Sequence, residues 1–120
     1  MQKKTLVIGA SPMQSRYSNR AVKILNRRGF DVIPLGIRNG KIDGIEIVIG
    51  FPELTEIHTV TMYIGHQKQI EYYDYILSLK PKRLIFNPGS ENDELEELLN
   101  RNSVEIVHHC TLVMLLNGDY

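Results

Sequence analysis

Thr5-Leu-Val-Ile-Gly9-Ala-Ser-Pro-Met-Gln-Ser-Arg16-Tyr-Ser18-Asn-Arg20 is a short apolar run that ends in a loop of small residues and then turns helical. Thr5 to Ile8 is apolar without alternation, as in a central parallel strand covered on both faces. Gly9 then tolerates backbone torsions and close approach that a Cβ blocks, and the following helix points free N–H groups at the loop. A strand, a tight turn and a helix N-terminus together make a cradle for phosphate.

The rest of the chain repeats the strand and helix alternation. Ser18 or Asn19 is the expected cap of a helix whose Ala21, Val22, Ile24 and Leu25 recur at helical spacing until Gly29. Phe30 to Leu35 reads as strand two, followed by the loop Gly36-Ile-Arg38-Asn-Gly40-Lys41, and Ile45 to Gly50 as a β-branched strand three. A helical turn is expected over Glu53 to Ile57, after Pro52. Thr59 to Ile64 reads as strand four, and an amphipathic helix from His66 or Gln67 to Leu79 places Ile70, Tyr73, Ile76 and Leu77 on one stripe. Arg83 to Phe86 is strand five, followed by Asn87-Pro88-Gly89-Ser90. Ser90 or Asn92 caps an acidic-fronted helix with Leu95, Leu98 and Leu99 facing inward, ending at Asn102. Val104 to Val107 is a last strand, and Cys110 to Leu116 a final helical turn.

This order predicts an α/β domain with a doubly wound, Rossmann-like parallel sheet of about five strands and helices on both faces. A ligand crevice is expected at the strand carboxyl ends, where strand order reverses. At 120 residues the chain suits a single domain spanning 1–120, with no room for separate cofactor and substrate domains. Fourteen basic residues offset 14 acidic ones, which leaves no electrostatic footprint for nucleic acid. The apolar segments fall far short of the roughly 20 residues that span a bilayer. The single cysteine, Cys110, has no partner for an internal disulfide, and no secretory leader is apparent, so the expected compartment is the cytoplasm.

The loops sharpen the ligand. Ser11 and Pro12 stand where the dinucleotide fingerprint places its further glycines, which weakens nicotinamide or flavin binding. After strand two, where an NAD-binding fold supplies a carboxylate for the ribose, the chain supplies Arg38. A phosphorylated ribose fits a cation there, leaving NADP and coenzyme A as candidates. His108 and His109 are neighbours on an extended segment and point to opposite faces, so no metal site is expected. Cys110 reads as an inert core thiol, His66 as a capping or exposed histidine, and Tyr72, Tyr73 and Tyr75 as helix packing.

Val7-Ile-Gly9-Ala-Ser-Pro12, Arg16-Tyr-Ser18, Val32-Ile-Pro34, Pro52-Glu-Leu54 and Cys110 together resemble the small stand-alone CoA-binding proteins of Rossmann type. These are similar to the CoA-binding domain of the succinyl-CoA synthetase α subunit. The resemblance runs nearly end to end and implies a strand order of 3-2-1-4-5. It implies that Gly9, Ala10, Ser11 and Pro12 hold the ligand's diphosphate, with Arg16 and Ser18 near it. It also implies that Arg38 faces the 3′-phosphate, that Tyr63 and Ile64 flank the adenine, and that Asn87, Pro88 and Gly89 line the pantetheine path. The chain departs from its relatives at Thr59 to His66 and at the Asn87-Pro88-Gly89 loop. The expectation is a module that binds coenzyme A or an acyl-CoA without catalysis of its own. The alternatives are a small NADP-dependent reductase or CoA-thiol transferase using His66 or Cys110, or an interaction domain without a ligand. A homodimer or a protein partner is left open.

Overall fold

The computed structural model describes residues 3–120. Six strands form one wholly parallel sheet in the order β5-β2-β1-β6-β7-β8. These are β1 (Thr5–Ile8), β2 (Val32–Gly36), β5 (Val48–Ile49), β6 (Thr59–Met62), β7 (Arg83–Phe86) and β8 (Glu105–His108). Between β2 and β5 the chain adds a small antiparallel hairpin, β3 (Lys41–Ile42) and β4 (Ile45–Glu46). Arg27 grips its turn through a two-bond contact with Asp43, at 2.9 and 3.1 Å.

Alternate residues of each strand feed opposite cores, as a sheet buried on both faces requires. Leu6, Ile8, Val60, Met62, Leu84 and Phe86 join Ile76, Leu95 and Leu99 from helices α3 (Tyr73–Leu79) and α4 (Asp93–Arg101) on one face. Val7, Val32 and Ile85 join Val22, Leu25, Met114 and Leu115 from helices α1 (Tyr17–Arg27) and α5 (Thr111–Asn117) on the other.

The expected order 3-2-1-4-5 holds in its first five places, with the Val104 strand adding a sixth, at the edge beside β7. Several local expectations change. Neither Ser18 nor Asn19 caps α1, since both lie inside it and the N-cap is Arg16. Strand three is split, because Ile45–Glu46 turns back on Lys41–Ile42 before Val48–Ile49 joins β2. No helical turn forms over Glu53 to Ile57; Glu56 has φ 58°, outside the right-handed helical region, and the Pro52 carbonyl accepts from the Tyr75 hydroxyl at 2.6 Å. The long helix expected to Leu79 is broken into α2 (His66–Gln69), a 3₁₀ turn (Ile70–Tyr72) and α3. Its buried stripe is Gln69, Tyr72 and Ile76, while Ile70 is 62% exposed. Asn92, not Ser90, caps α4, accepting from the Leu95 N–H at 3.1 Å. The last helix, α5, is longer than the single turn expected.

Candidate functional site

Strand order reverses at the boundary between β1 and β6, since the chain builds outward from β1 to β5 on one side and from β6 to β8 on the other, and these two parallel strands release their loops at the same edge. A side chain on one loop cannot fill the space left by the other, which is why such switch points open into crevices. Here the crevice encloses about 840 Å³, within the range of sites for small ligands. Its walls are the segments Gly9–Met13 and Arg16–Ser18, Gly36–Arg38 after β2, and Tyr63–Lys68 after β6, with Glu71, Tyr72 and Pro88 completing it.

Backbone packing holds the first loop in place. Gly9 has φ 100°, and a Cβ there would meet Ile64 Cγ2 at 2.9 Å, so only glycine lets β1 end against the β6 loop. The N–H groups of Gly9 and Ala10 both donate to the Leu35 carbonyl at 2.9 Å. Gly36 is equally constrained, since its Cβ would stand 2.3 Å from the Ala10 carbonyl oxygen. The Asn19 amide donates to the Ser11 carbonyl at 2.8 Å, tying the loop to the first turn of α1.

The electrostatics favour an anion. Among the described residues no side chain caps α1, no acidic residue lies in its first turn, and Tyr17 and Ser18 open the helix toward the crevice. The partial positive charge of the helix end is therefore unneutralised by the protein. Arg16 and Arg38 stand on neighbouring loops at the crevice, both exposed, and neither makes an ion pair or side-chain hydrogen bond among the described residues. A guanidinium offers a fork of donors matched to phosphate oxygens. These groups suit a phosphorylated ligand.

Of the residues singled out from the sequence, Gly9, Ala10, Ser11, Pro12, Arg16, Ser18, Arg38, Tyr63, Ile64 and Pro88 all line this one crevice. Asn87 and Gly89 do not. Asn87 is buried beneath it, donating to Thr61 Oγ1 at 2.7 Å and to the Met62 carbonyl at 2.9 Å, and accepting from the Thr111 N–H at 2.8 Å. Tyr63 lines the crevice, yet its hydroxyl is buried and finds no partner among the described residues. Burial holds that phenol well above its ordinary pKa.

Sequence reasoning passed over Gly36 as a close-approach position, Lys68, Glu71 and Tyr72 as crevice residues, and Gln69 as the buried support of the wall. The glycine was visible as part of a two-glycine loop; the buried role of Gln69 has no local signal. His66 is exposed at the crevice. His108 stacks on Phe86 with centroids 5.4 Å apart and meets Glu96 at 3.2 Å, whereas His109 Nδ1 accepts from the Cys110 N–H at 2.8 Å. Cys110 is free and half-buried, so it is not the fully enclosed thiol expected. Among the described residues no group of three or more His, Cys, Asp and Glu side chains could hold a metal ion, and no helix is long and apolar enough to cross a membrane.

Comparison with known proteins agrees with this geometry. A crystal structure described as that of an uncharacterized protein is 48% identical over all of this chain and 99% of its own, with a TM-score of 0.96. A hypothetical protein from Pyrococcus horikoshii OT3 shares the fold at 22% identity and TM-score 0.86, over 97% of this chain and 83% of its own. A protein from Thermus thermophilus, cell-free ID.343, does so at 20% identity and TM-score 0.84, over 98% of this chain and 91% of its own. No curated protein matches the sequence. The model of one family, described as a CoA binding domain, matches residues 3–115, and the chain belongs to that family.

Proposed function

We propose that the chain binds coenzyme A or an acyl-CoA in the crevice at the β1/β6 switch point and acts as a binding module rather than an enzyme. In this reading Gly9 to Pro12 and the N-terminus of α1 receive the diphosphate, with Arg16 and Ser18 beside it. Arg38 takes the 3′-phosphate, Tyr63 and Ile64 flank the adenine, and Pro88 and Gly89 border the pantetheine path above Asn87. The observation that carries the reading is the pair of uncommitted arginines, Arg16 and Arg38, on neighbouring loops beside an uncapped helix end. One phosphate needs one such fork; a ligand with phosphates at the 3′ and 5′ positions of one ribose makes use of two. The free thiol of Cys110 suits a reducing cytoplasm.

Calorimetry with coenzyme A, dephospho-CoA and NADP at fixed salt tests this. Coenzyme A should bind, and loss of its 3′-phosphate should weaken binding about tenfold, one charge-assisted contact's worth. Arg38→Ala should erase that difference while leaving dephospho-CoA binding unchanged. Absence of heat with coenzyme A at millimolar concentration would sink the reading.

A further inference from the structure

The crevice has a structural support that is not itself part of its lining. Gln69 is fully buried where α2 gives way to the 3₁₀ turn. Its Nε2 donates to the Ile64 carbonyl at 2.9 Å and to the Ser90 carbonyl at 2.7 Å, which uses both amide hydrogens. Its Oε1 accepts from Asn92 Nδ2 at 3.0 Å. Ile64 belongs to the wall carried by β6, and Ser90 closes the loop that brings Pro88 to the crevice from β7. Ser90 in turn donates from its N–H and hydroxyl to the Asn87 carbonyl, and Asn87 donates back to Thr61 and Met62 of β6. A closed circuit of hydrogen bonds therefore joins the two loops, with Gln69 as the link between them.

Packing alone would accept an apolar side chain here, since Gln69 falls in register with Tyr72 and Ile76 on the buried stripe, but such a residue would leave the Ile64 and Ser90 carbonyls and the Asn92 amide short of a partner. What an amide adds is geometry, because two donors on one rigid plane fix how far apart two carbonyls can stand.

We propose that Gln69, held in orientation by Asn92, is a positioning residue that sets the separation between the Ile64 wall and the Pro88 loop, and thereby selects ligands long enough to touch both. This rests on the coenzyme A reading above. Coenzyme A spans both walls, whereas adenosine 3′,5′-bisphosphate reaches the first loop, Arg38 and the Ile64 wall and stops short of Pro88. A fixed separation therefore matters to the first ligand and not to the second.

Two variants test the device. Gln69→Met keeps length and apolar bulk and removes the donors. Asn92→Asp keeps the cap of α4, since a carboxylate also accepts from the Leu95 N–H, and removes the donor that orients the Gln69 amide. Dissociation constants for both ligands are measured by calorimetry, on proteins shown to be folded by circular dichroism. Each variant should weaken coenzyme A about tenfold while holding adenosine 3′,5′-bisphosphate within about twofold of the native chain. Equal loss of both ligands, or unchanged affinity for both, overturns the positioning role while leaving the coenzyme A reading intact. A native chain that binds neither ligand overturns both. Should Gln69→Met fail to fold, Asn92→Asp decides alone.

Discussion

Asn87 shows how much one side chain can hold together. Its amide donates to the Thr61 hydroxyl, which pairs at 2.7 Å with the Thr111 hydroxyl, while its oxygen accepts the N–H that opens α5. A helix whose own N-cap, Cys110, supplies no side-chain bond is thus capped from the loop that follows β7. Asn87→Ala strands a buried N–H and loosens two hydroxyls, which should cost about 1–3 kcal/mol. Urea denaturation measures it: the midpoint should fall with an unchanged slope, and a loss under about 0.5 kcal/mol, the scale of an ordinary surface change, would refute the account. None of this was legible in the sequence, where Asn87 read as part of a ligand path, because its partners lie 24 to 26 residues away. Gly9, Arg16 and Arg38 were legible for the opposite reason, since their position in a strand, loop and helix unit is a local fact. Gln69 stayed hidden because glutamine is an ordinary residue in an amphipathic helix, and only the tertiary fold makes it interior.

Among the elements, the wall from His66 to Leu79 departs furthest from its sequence pattern. The apolar spacing suggests one helix burying Ile70, Tyr73, Ile76 and Leu77, yet the observed stripe runs through Gln69, Tyr72 and Ile76. Tyr73 is half-buried and packs against the core, while its hydroxyl joins the polar circuit, accepting from Asn92 at 2.8 Å and donating to Glu94 at 3.0 Å. The 3₁₀ turn makes the change of register, and with it Ile70 moves out to solvent. Periodicity is blind to this because a hydropathy pattern scores glutamine as a solvent-facing residue whether or not the fold satisfies its amide in the interior. The outcome is testable with two substitutions. Ile70→Gln should change stability by no more than about 0.5 kcal/mol, whereas Ile76→Ala should cost about 2–5 kcal/mol through the cavity it leaves. A large loss at Ile70 would restore the unbroken helix. The strands behave differently, for β1 and β7 match their apolar runs residue for residue, being buried on both faces with no register left to choose.

At the scale of the whole molecule the two ends of the sheet are opposites. The carboxyl ends leave arginines uncommitted over a crevice; the amino ends bury one. Arg83 is only 8% exposed, donates from Nε to the Thr59 hydroxyl at 2.8 Å, and lies 4.6 Å over the Tyr120 ring, with no carboxylate bound to it among the described residues. The Tyr120 hydroxyl meets Thr5 at 2.5 Å, and its ring packs edge-on against Phe30. A cation held this way by a ring and a hydroxyl leaves its charge to act on neighbours. His58 feels it: partial burial first, then the positive charges of Arg83, Lys3 and Lys82, hold its imidazole below the ordinary value of 6.5, with Glu105 alone opposing. The sign of the consequence follows from proton linkage. A histidine whose folded pKa is depressed binds fewer protons folded than unfolded, so its contribution to stability is complete above 6.5 and is lost progressively as pH falls below that value. It levels off once pH passes below the folded pKa. The melting temperature of the native chain should therefore drop faster than that of His58→Gln between about pH 6.5 and 5, and the two should run parallel from about pH 7 to 8. Glutamine keeps a group able to pair with the Thr59 hydroxyl, which His58 Nδ1 meets at 2.8 Å, so packing changes little and the difference reports charge. Parallel curves across the whole range would show that Arg83 is screened from its neighbour and that the amino ends of the sheet carry no electrostatic strain.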